Sequence, residues 1–328
     1  MRHWRKRWVI VLAGLIVLVN MLALAVGIYL QHAATRPPWS RDARKSYAQI
    51  FGVSDDELAR WFKSERFARL TKEPVPITLR RGETINGLLV YGHGPKRARG
   101  TVVLEGYPYT VMPVGDVFLD RGFNVFIYHQ PFASGKIGFG YFEKYDLETV
   151  VRAVRQKDPQ GTIGVFGASR VGATALQLAA MREGSGDVAF YIIDAAFSDL
   201  RDLLRFHYRR DVGVPLDPLA YGYASLVNYL RDGYFFGDAS PRRSIASVRT
   251  PVLFIHGRAD PVIPYRMTEE LYRAKPGVKL LLIHDGGHGL IESKGGGAIA
   301  ENRAAFERKV DKLLALAAKG GGAPKHAP

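Results

Sequence analysis

Apolar positions along the chain fall into three patterns, and each predicts a different kind of element. The first is one long uniform stretch, Trp8 to Leu30: 23 residues without a charge, with Asn20 as the only strongly polar side chain. As a helix it would measure about 34 Å, against a hydrocarbon core of about 30 Å. Arg2, Arg5, Lys6 and Arg7 precede it. A cleaved signal peptide has an apolar region of only about 7–15 residues, and Gln31-His32-Ala33-Ala34 is a weak cleavage site. The pattern predicts an uncleaved single-pass anchor, with Trp8 and Tyr29 at the two interfaces and the basic N-terminus in the cytoplasm. Arg36, Arg41, Arg44 and Lys45 follow the span, so the charge bias is not one-sided. The rest of the chain is expected outside the cytoplasm, in a periplasm if the host is bacterial.

The second pattern is short β-branched and aromatic runs: 75–80, 84–91, 101–104, 123–128, 163–166, 188–193, one ending at His256-Gly257 and one ending near His284. The third is apolar residues at helical spacing. A capping box, Ser54-Asp55-Asp56-Glu57, opens a helix through about Leu70 that lays Leu58, Trp61, Phe62, Phe67 and Leu70 on one face. Further helices are predicted near 111–120, over 143–156, after Ser169 and over 297–318. Strands alternating with helices predict an α/β fold, a mostly parallel central sheet with helices on both faces. The first two strands, joined at Arg81-Gly82, predict an antiparallel hairpin. The chain thus divides into an anchor (1–34), a linker and packing helix (35–74), an α/β domain (75–318) and a disordered tail (319–328).

Candidate chemistry sits where these patterns change. Ile163 to Phe166 runs into Gly167-Ala168-Ser169-Arg170, and small and apolar residues at helical spacing follow. A serine on such a strand–turn–helix stands off the sheet edge, and the backbone N–H of Arg170 is placed to meet a developing oxyanion. The stretch reads close to a Gly-x-Ser-x-Gly elbow. Val171 holds the fifth position and the glycine comes at Gly172, which predicts a slightly wider helix–strand packing. Downstream, Asp260 lies in the loop after the strand ending at His256-Gly257, and His288 lies in the glycine-rich loop after the strand ending near His284. Serine, acid and histidine each follow a separate strand, and in a parallel sheet those loops emerge at one edge.

The order Ser169, Asp260, His288, with "HGRADPVIP" at 256–264 and "GGHG" at 286–289, resembles the α/β-hydrolase superfamily over roughly residues 75–318. The resemblance implies a nucleophile (Ser169), an acid (Asp260) and a base (His288), with an oxyanion hole from the N–H groups of Arg170 and Tyr107. It also implies a small helical cap over the site at about 200–245, a region rich in aromatics such as Phe206, Tyr221, Tyr229 and Phe235. Glu105 stands where the superfamily usually has histidine. Asp194, after the strand at 188–193, is the alternative acid. The activity implied is cleavage of acyl esters or thioesters, on a small-molecule or lipid-like acyl substrate. Peptidases of the aminopeptidase kind share the pattern. An inactive, membrane-tethered binding module is the non-enzymatic alternative, kept open by Val171 and Glu105.

Composition narrows the rest. There is no cysteine, so disulfides, thiolate metal sites and a cysteine nucleophile are excluded. The net charge of +15 is spread along the chain, which fits a basic surface near anionic lipid better than nucleic-acid binding. His284 and His288 are four apart but on a strand end followed by Gly286-Gly287, and no His-Glu-x-x-His is present, so zinc is not expected. The glycines of 129–142 match no phosphate-binding pattern, and His129 there reads as a structural histidine. No cofactor is expected.

Overall fold

The continuous apolar runs form strands buried on both faces, as a sheet covered by helices requires. In the computed structural model, which describes residues 2–36, 65–80, 82–92, 98–106, 108–129, 136–211, 213, 217–289 and 297–320, the eight strands are β1 Thr71–Thr78, β2 Thr84–Tyr91, β3 Gly100–Glu105, β4 Asn124–Tyr128, β5 Thr162–Ala168, β6 Phe190–Asp194, β7 Val252–Gly257 and β8 Lys279–His284. They make one sheet in the order β1-β2-β4-β3-β5-β6-β7-β8. β1 and β2 pair antiparallel, β2 runs antiparallel to β4, and all later pairs are parallel.

The helices are α1 Arg2–Thr35, α2 Glu65–Arg69, α3 Pro108–Leu119, α4 Glu143–Lys157, α5 Arg170–Arg182, α6 Leu200–Asp211, α7 Asp217–Asp232, α8 Pro241–Ile245, α9 Arg266–Ala274 and α10 Gly297–Gly320. Alternate side chains of each strand feed two cores. Val103, Val165 and Phe254 point to the face covered by α4, α5 and α9, with Leu147, Leu176 and Leu271. Val102, Leu104, Phe166 and Leu253 point to the face covered by α3 and α10, with Phe118, Phe306 and Leu313. Between β6 and β7 the chain leaves the sheet through α6, α7 and α8; apolar residues of α6, α7 and the segment after α7 form a third cluster that reaches Ala173 of α5, while Ile245 of α8 packs in the first core.

The helix expected from the capping box at 54–57 lies mostly outside the described residues, as do 37–64 of the expected linker and the tail beyond 320. Of that helix the described part is α2, and Phe67 packs into the second core. The first strand begins at Thr71, earlier than its apolar run, because all eight of its residues pair in register with β2. α1 is long and apolar enough to cross a membrane.

Candidate active site

Ser169 sits at the junction of β5 and α5 with φ 57 and ψ −126, a conformation that L-residues with a Cβ rarely adopt. Its N–H donates to Asp194 O at 2.7 Å, which ties the turn to the end of β6. Two glycines let the turn close. A Cβ on Gly167 would lie 2.8 Å from the Val171 carbonyl carbon and from Gly172 N, and one on Gly172 would lie 2.8 Å from Gly167 O. The wider packing expected from Val171 is therefore absent. Gly172, one residue later, provides the close approach, and Val171 turns its side chain into buried surroundings.

The loops after β7 and β8 are fastened to each other. Arg258 N donates to His284 O at 2.8 Å and Ala259 N to Gly286 O at 3.1 Å. A Cβ at Gly257 would fall 2.0 Å from Gly287 O, so only glycine lets the second loop cross the end of β7. This crossing brings His288 over Asp260. His288 Nδ1 lies 2.7 Å from Asp260 Oδ2, and His288 Nε2 lies 2.9 Å from Ser169 Oγ. Facing a carboxylate, Nδ1 is the nitrogen that carries the proton, which leaves Nε2 toward the serine hydroxyl.

Asp260 has no exposed side-chain surface. Burial alone would push its carboxyl up. Hydrogen bonds from His256 and His288, the charge of His288 and the Ile263 amide outweigh that and hold it well below the ordinary carboxylate range. Oδ1 accepts from Val262 N at 2.7 Å and Ile263 N at 2.8 Å. His256 is the partner that the sequence reading missed. It is fully buried, with Nε2 3.0 Å from Asp260 Oδ2 and 2.9 Å from Ile263 O, both acceptors, so this nitrogen is protonated. Its Nδ1 meets Thr268 Oγ1 at 2.7 Å. The signal was available: His256 and Asp260 are four apart within the same "HGRADPVIP" stretch.

Arg170, the next residue after Ser169, opens α5, where the N–H groups of a first turn are not taken up inside the helix. Its guanidinium Nη2 donates to Glu105 Oε1 at 3.3 Å, and Tyr128 donates its hydroxyl proton to Glu105 Oε2 at 3.1 Å. Glu105 ends β3, so the unusual residue in the histidine position is the buried counter-ion of the residue beside the serine. Burial pushes its carboxyl up, against the pull of Arg170 and Tyr128. His129, at the end of β4, is half-buried, and burial followed by the Arg170 charge lowers its pKa to about 4, so it is neutral near pH 7. Tyr107 lies outside the described residues. His284 Nδ1 already accepts from Gly286 N at 3.1 Å, which occupies the lone pair a metal would need.

Cutting one end of a buried ion pair leaves the other charge without its partner. Glu105→Ala is expected to cost about 3–5 kcal/mol, roughly 10 °C in Tm for a domain of this size. Removing both ends, in Glu105→Ala/Arg170→Ala, is expected to recover more than half of that loss. Thermal denaturation of the two variants tests it, and a double variant less stable than the single one would refute the pairing.

Comparison with known proteins bears on the family and the fold. Residues 235–309 match a family described as TAP-like protein. The chain is 31% identical over 259 residues to the uncharacterized protein YqkD of Bacillus subtilis, covering 76% of this chain and 81% of that one. It is 30% identical over 181 residues to the uncharacterized protein YfhR of Escherichia coli K12, covering 52% and 54%. Its fold is similar to that of the Pyrococcus furiosus esterase PF2001, with TM-score 0.56 at 18% identity, covering 76% of this chain and 93% of the esterase. It is also similar to Est1E from Butyrivibrio proteoclasticus, with TM-score 0.54 at 13% identity, covering 74% and 99%. The chain belongs to one family with YqkD, and the TAP-like match together with the fold it shares with the two esterases places that family in the α/β-hydrolase superfamily.

Proposed function

We propose that the protein is a membrane-anchored serine hydrolase that cleaves acyl esters or thioesters. One observation carries the reading: the hydroxyl of Ser169, the imidazole of His288 and the carboxylate of Asp260 form a continuous chain of hydrogen bonds of 2.9 and 2.7 Å. His288 Nε2 takes the Ser169 proton as the oxygen attacks the acyl carbon. The negative charge that develops on the substrate oxygen is met by the N–H of Arg170 and, by resemblance to the superfamily, that of Tyr107. Asp260 keeps the proton on Nδ1 and stabilises the imidazolium. His288 then protonates the departing alcohol or thiol. Water, activated by the same ring, releases the acid and restores Ser169.

In this reading residues 1–34 are the anchor, 35–74 the linker and packing helix, 75–318 the hydrolase domain with its cap at about 200–245, and 319–328 a tail. Trp8 to Leu30 crosses the bilayer, with the basic end in the cytoplasm and the hydrolase domain on the other side. Two features support an acyl substrate in this reading: the serine is half-buried, and an aromatic-rich helical insertion follows β6.

The test uses the full-length protein in detergent, challenged with a fluorophosphonate probe and a panel of acyl esters, acyl thioesters and aminoacyl anilides. Covalent labelling and turnover of at least one ester or thioester are expected. Turnover of anilides alone would move the assignment to a peptidase. Absence of labelling and of all turnover would leave a binding module.

A further inference from the structure

The second half of α1 lies against α7. Gly27 meets the α7 backbone so closely that a Cβ would fall 2.8 Å from Ala224 N and 2.9 Å from Ala220 O, and Ala23 is fully buried. The Tyr223 hydroxyl donates to Asn20 Oδ1 at 2.7 Å. Further along, buried Gln31 donates to Asn228 Oδ1 at 3.3 Å and Asp232 Oδ2 at 3.0 Å, and accepts from Arg231 at 3.2 Å. Arg36 and Lys136 pair with Asp232 at 3.3 and 2.8 Å. Partners advance together along both helices, so the two run parallel.

This docking has a consequence for depth. The part of α1 ahead of the contact, Trp8 to Val19, is about 18 Å long. That is short of a hydrocarbon core of about 30 Å. An anchor that crosses with this geometry must carry its first docked turns, and the flank of α7 beside them, below the membrane surface.

The surface of α7 fits such a position. Its outward stripe is apolar: Leu219 is 45% exposed, Leu226 42%, Tyr229 47% and Leu230 73%. The helix carries no charge between Asp217 and Arg231. Phe235, 43% exposed, stacks on Tyr229 with ring centroids 4.5 Å apart. A helix bathed in water presents polar residues on its outer face, and a contiguous apolar face marks a contact. Four charged residues, Arg36, Lys136, Arg231 and Asp232, gather at the C-terminal end of the helix pair, and Asp217 is the one charge at the other end of α7. Amphipathic aromatics beside a band of charge are the composition of a membrane interface.

We propose that α7 is a second membrane element. Its apolar stripe is immersed beside α1 among lipid acyl chains, and the Arg36–Lys136–Arg231–Asp232 cluster lies at headgroup level. The inference rests on the reading of α1 as an anchor. It adds that α7, one helix of the insertion between β6 and β7, is itself in lipid.

The chain has no cysteine, so single labels can be placed without removing any. Leu226→Cys and Leu219→Cys report on α7, Leu18→Cys on the free part of α1, and Arg152→Cys on the exposed side of α4. Each full-length variant carries an environment-sensitive fluorophore in vesicles of phosphatidylcholine and phosphatidylglycerol, with nitroxide on the acyl chains as quencher. Quenching at positions 226 and 219 within about twofold of that at position 18, with none at 152, is the expected result. Quenching at position 18 but not at 226 or 219 would overturn the immersion of α7 and leave the anchor standing. Absence of quenching at 18 as well would remove the anchor reading and this inference with it. Labels at 226 and 219 that are shielded from aqueous iodide yet unquenched by lipid would mean that a second copy of the chain covers the stripe, which also overturns it.

Discussion

Ser169→Ala is expected to lower kcat for any ester or thioester that the protein turns over by about 10⁴-fold or more, and to abolish fluorophosphonate labelling. The hydroxyl at this position lies 2.9 Å from His288 Nε2, and without its oxygen no acyl-enzyme forms on it. The residual rate measures what the oxyanion hole and binding supply alone. The fold is expected to survive. Alanine keeps the Cβ that the φ of 57° already accommodates, and the loss is one hydrogen bond, about 1 kcal/mol. That corresponds to a Tm shift of about 2–4 °C. The combination matters: a variant with native Tm and undiminished turnover would place the nucleophile elsewhere and end the serine-hydrolase reading.

How much of this was visible in the sequence depended on the range of the interaction. The central strands β3 to β7 were legible because they are buried on both faces and so are largely apolar, as in Val252 to Ile255. The grouping of Ser169, Asp260 and His288 was legible because each follows a parallel strand, and topology alone then carries three distant residues to one edge. The meaning of Glu105 was not. Its partner Arg170 is 65 residues away, and a buried ion pair has no periodic pattern to betray it. Val171 misled for a related reason. The fifth position of the elbow matters only through backbone approach, and that approach is set by the facing pair Gly167 and Gly172. The docking of α1 on α7 was equally hidden. Gly27 looks like an ordinary member of an apolar span until Ala220 and Ala224 are found opposite it.

Asp260→Asn is expected to lower kcat by about 10⁴-fold while KM changes little. Asparagine is nearly the same size, so Val262 N and Ile263 N keep an oxygen to bond. What changes is the atom that faces His288. An amide N–H directed at Nδ1 would move the ring proton to Nε2, where it points at Ser169 and cannot accept its proton. The same substitution has a signature in stability against pH. The carboxyl of Asp260 is held well below its ordinary value in the folded protein. Its contribution is therefore present above the unfolded value, near pH 4, and is lost as the pH falls through the folded value. Wild-type Tm should exceed that of the variant at neutral pH, and the gap should close in acid. Asp194→Asn separates the two candidate acids. Asp194 meets Ser169 through its backbone oxygen, a contact that the substitution preserves, and Asp260 alone of the two carboxylates lies against Nδ1 of His288. Its kcat should stay within about tenfold of wild type. A 10⁴-fold loss at position 194 with near-normal activity at 260 would reverse the assignment.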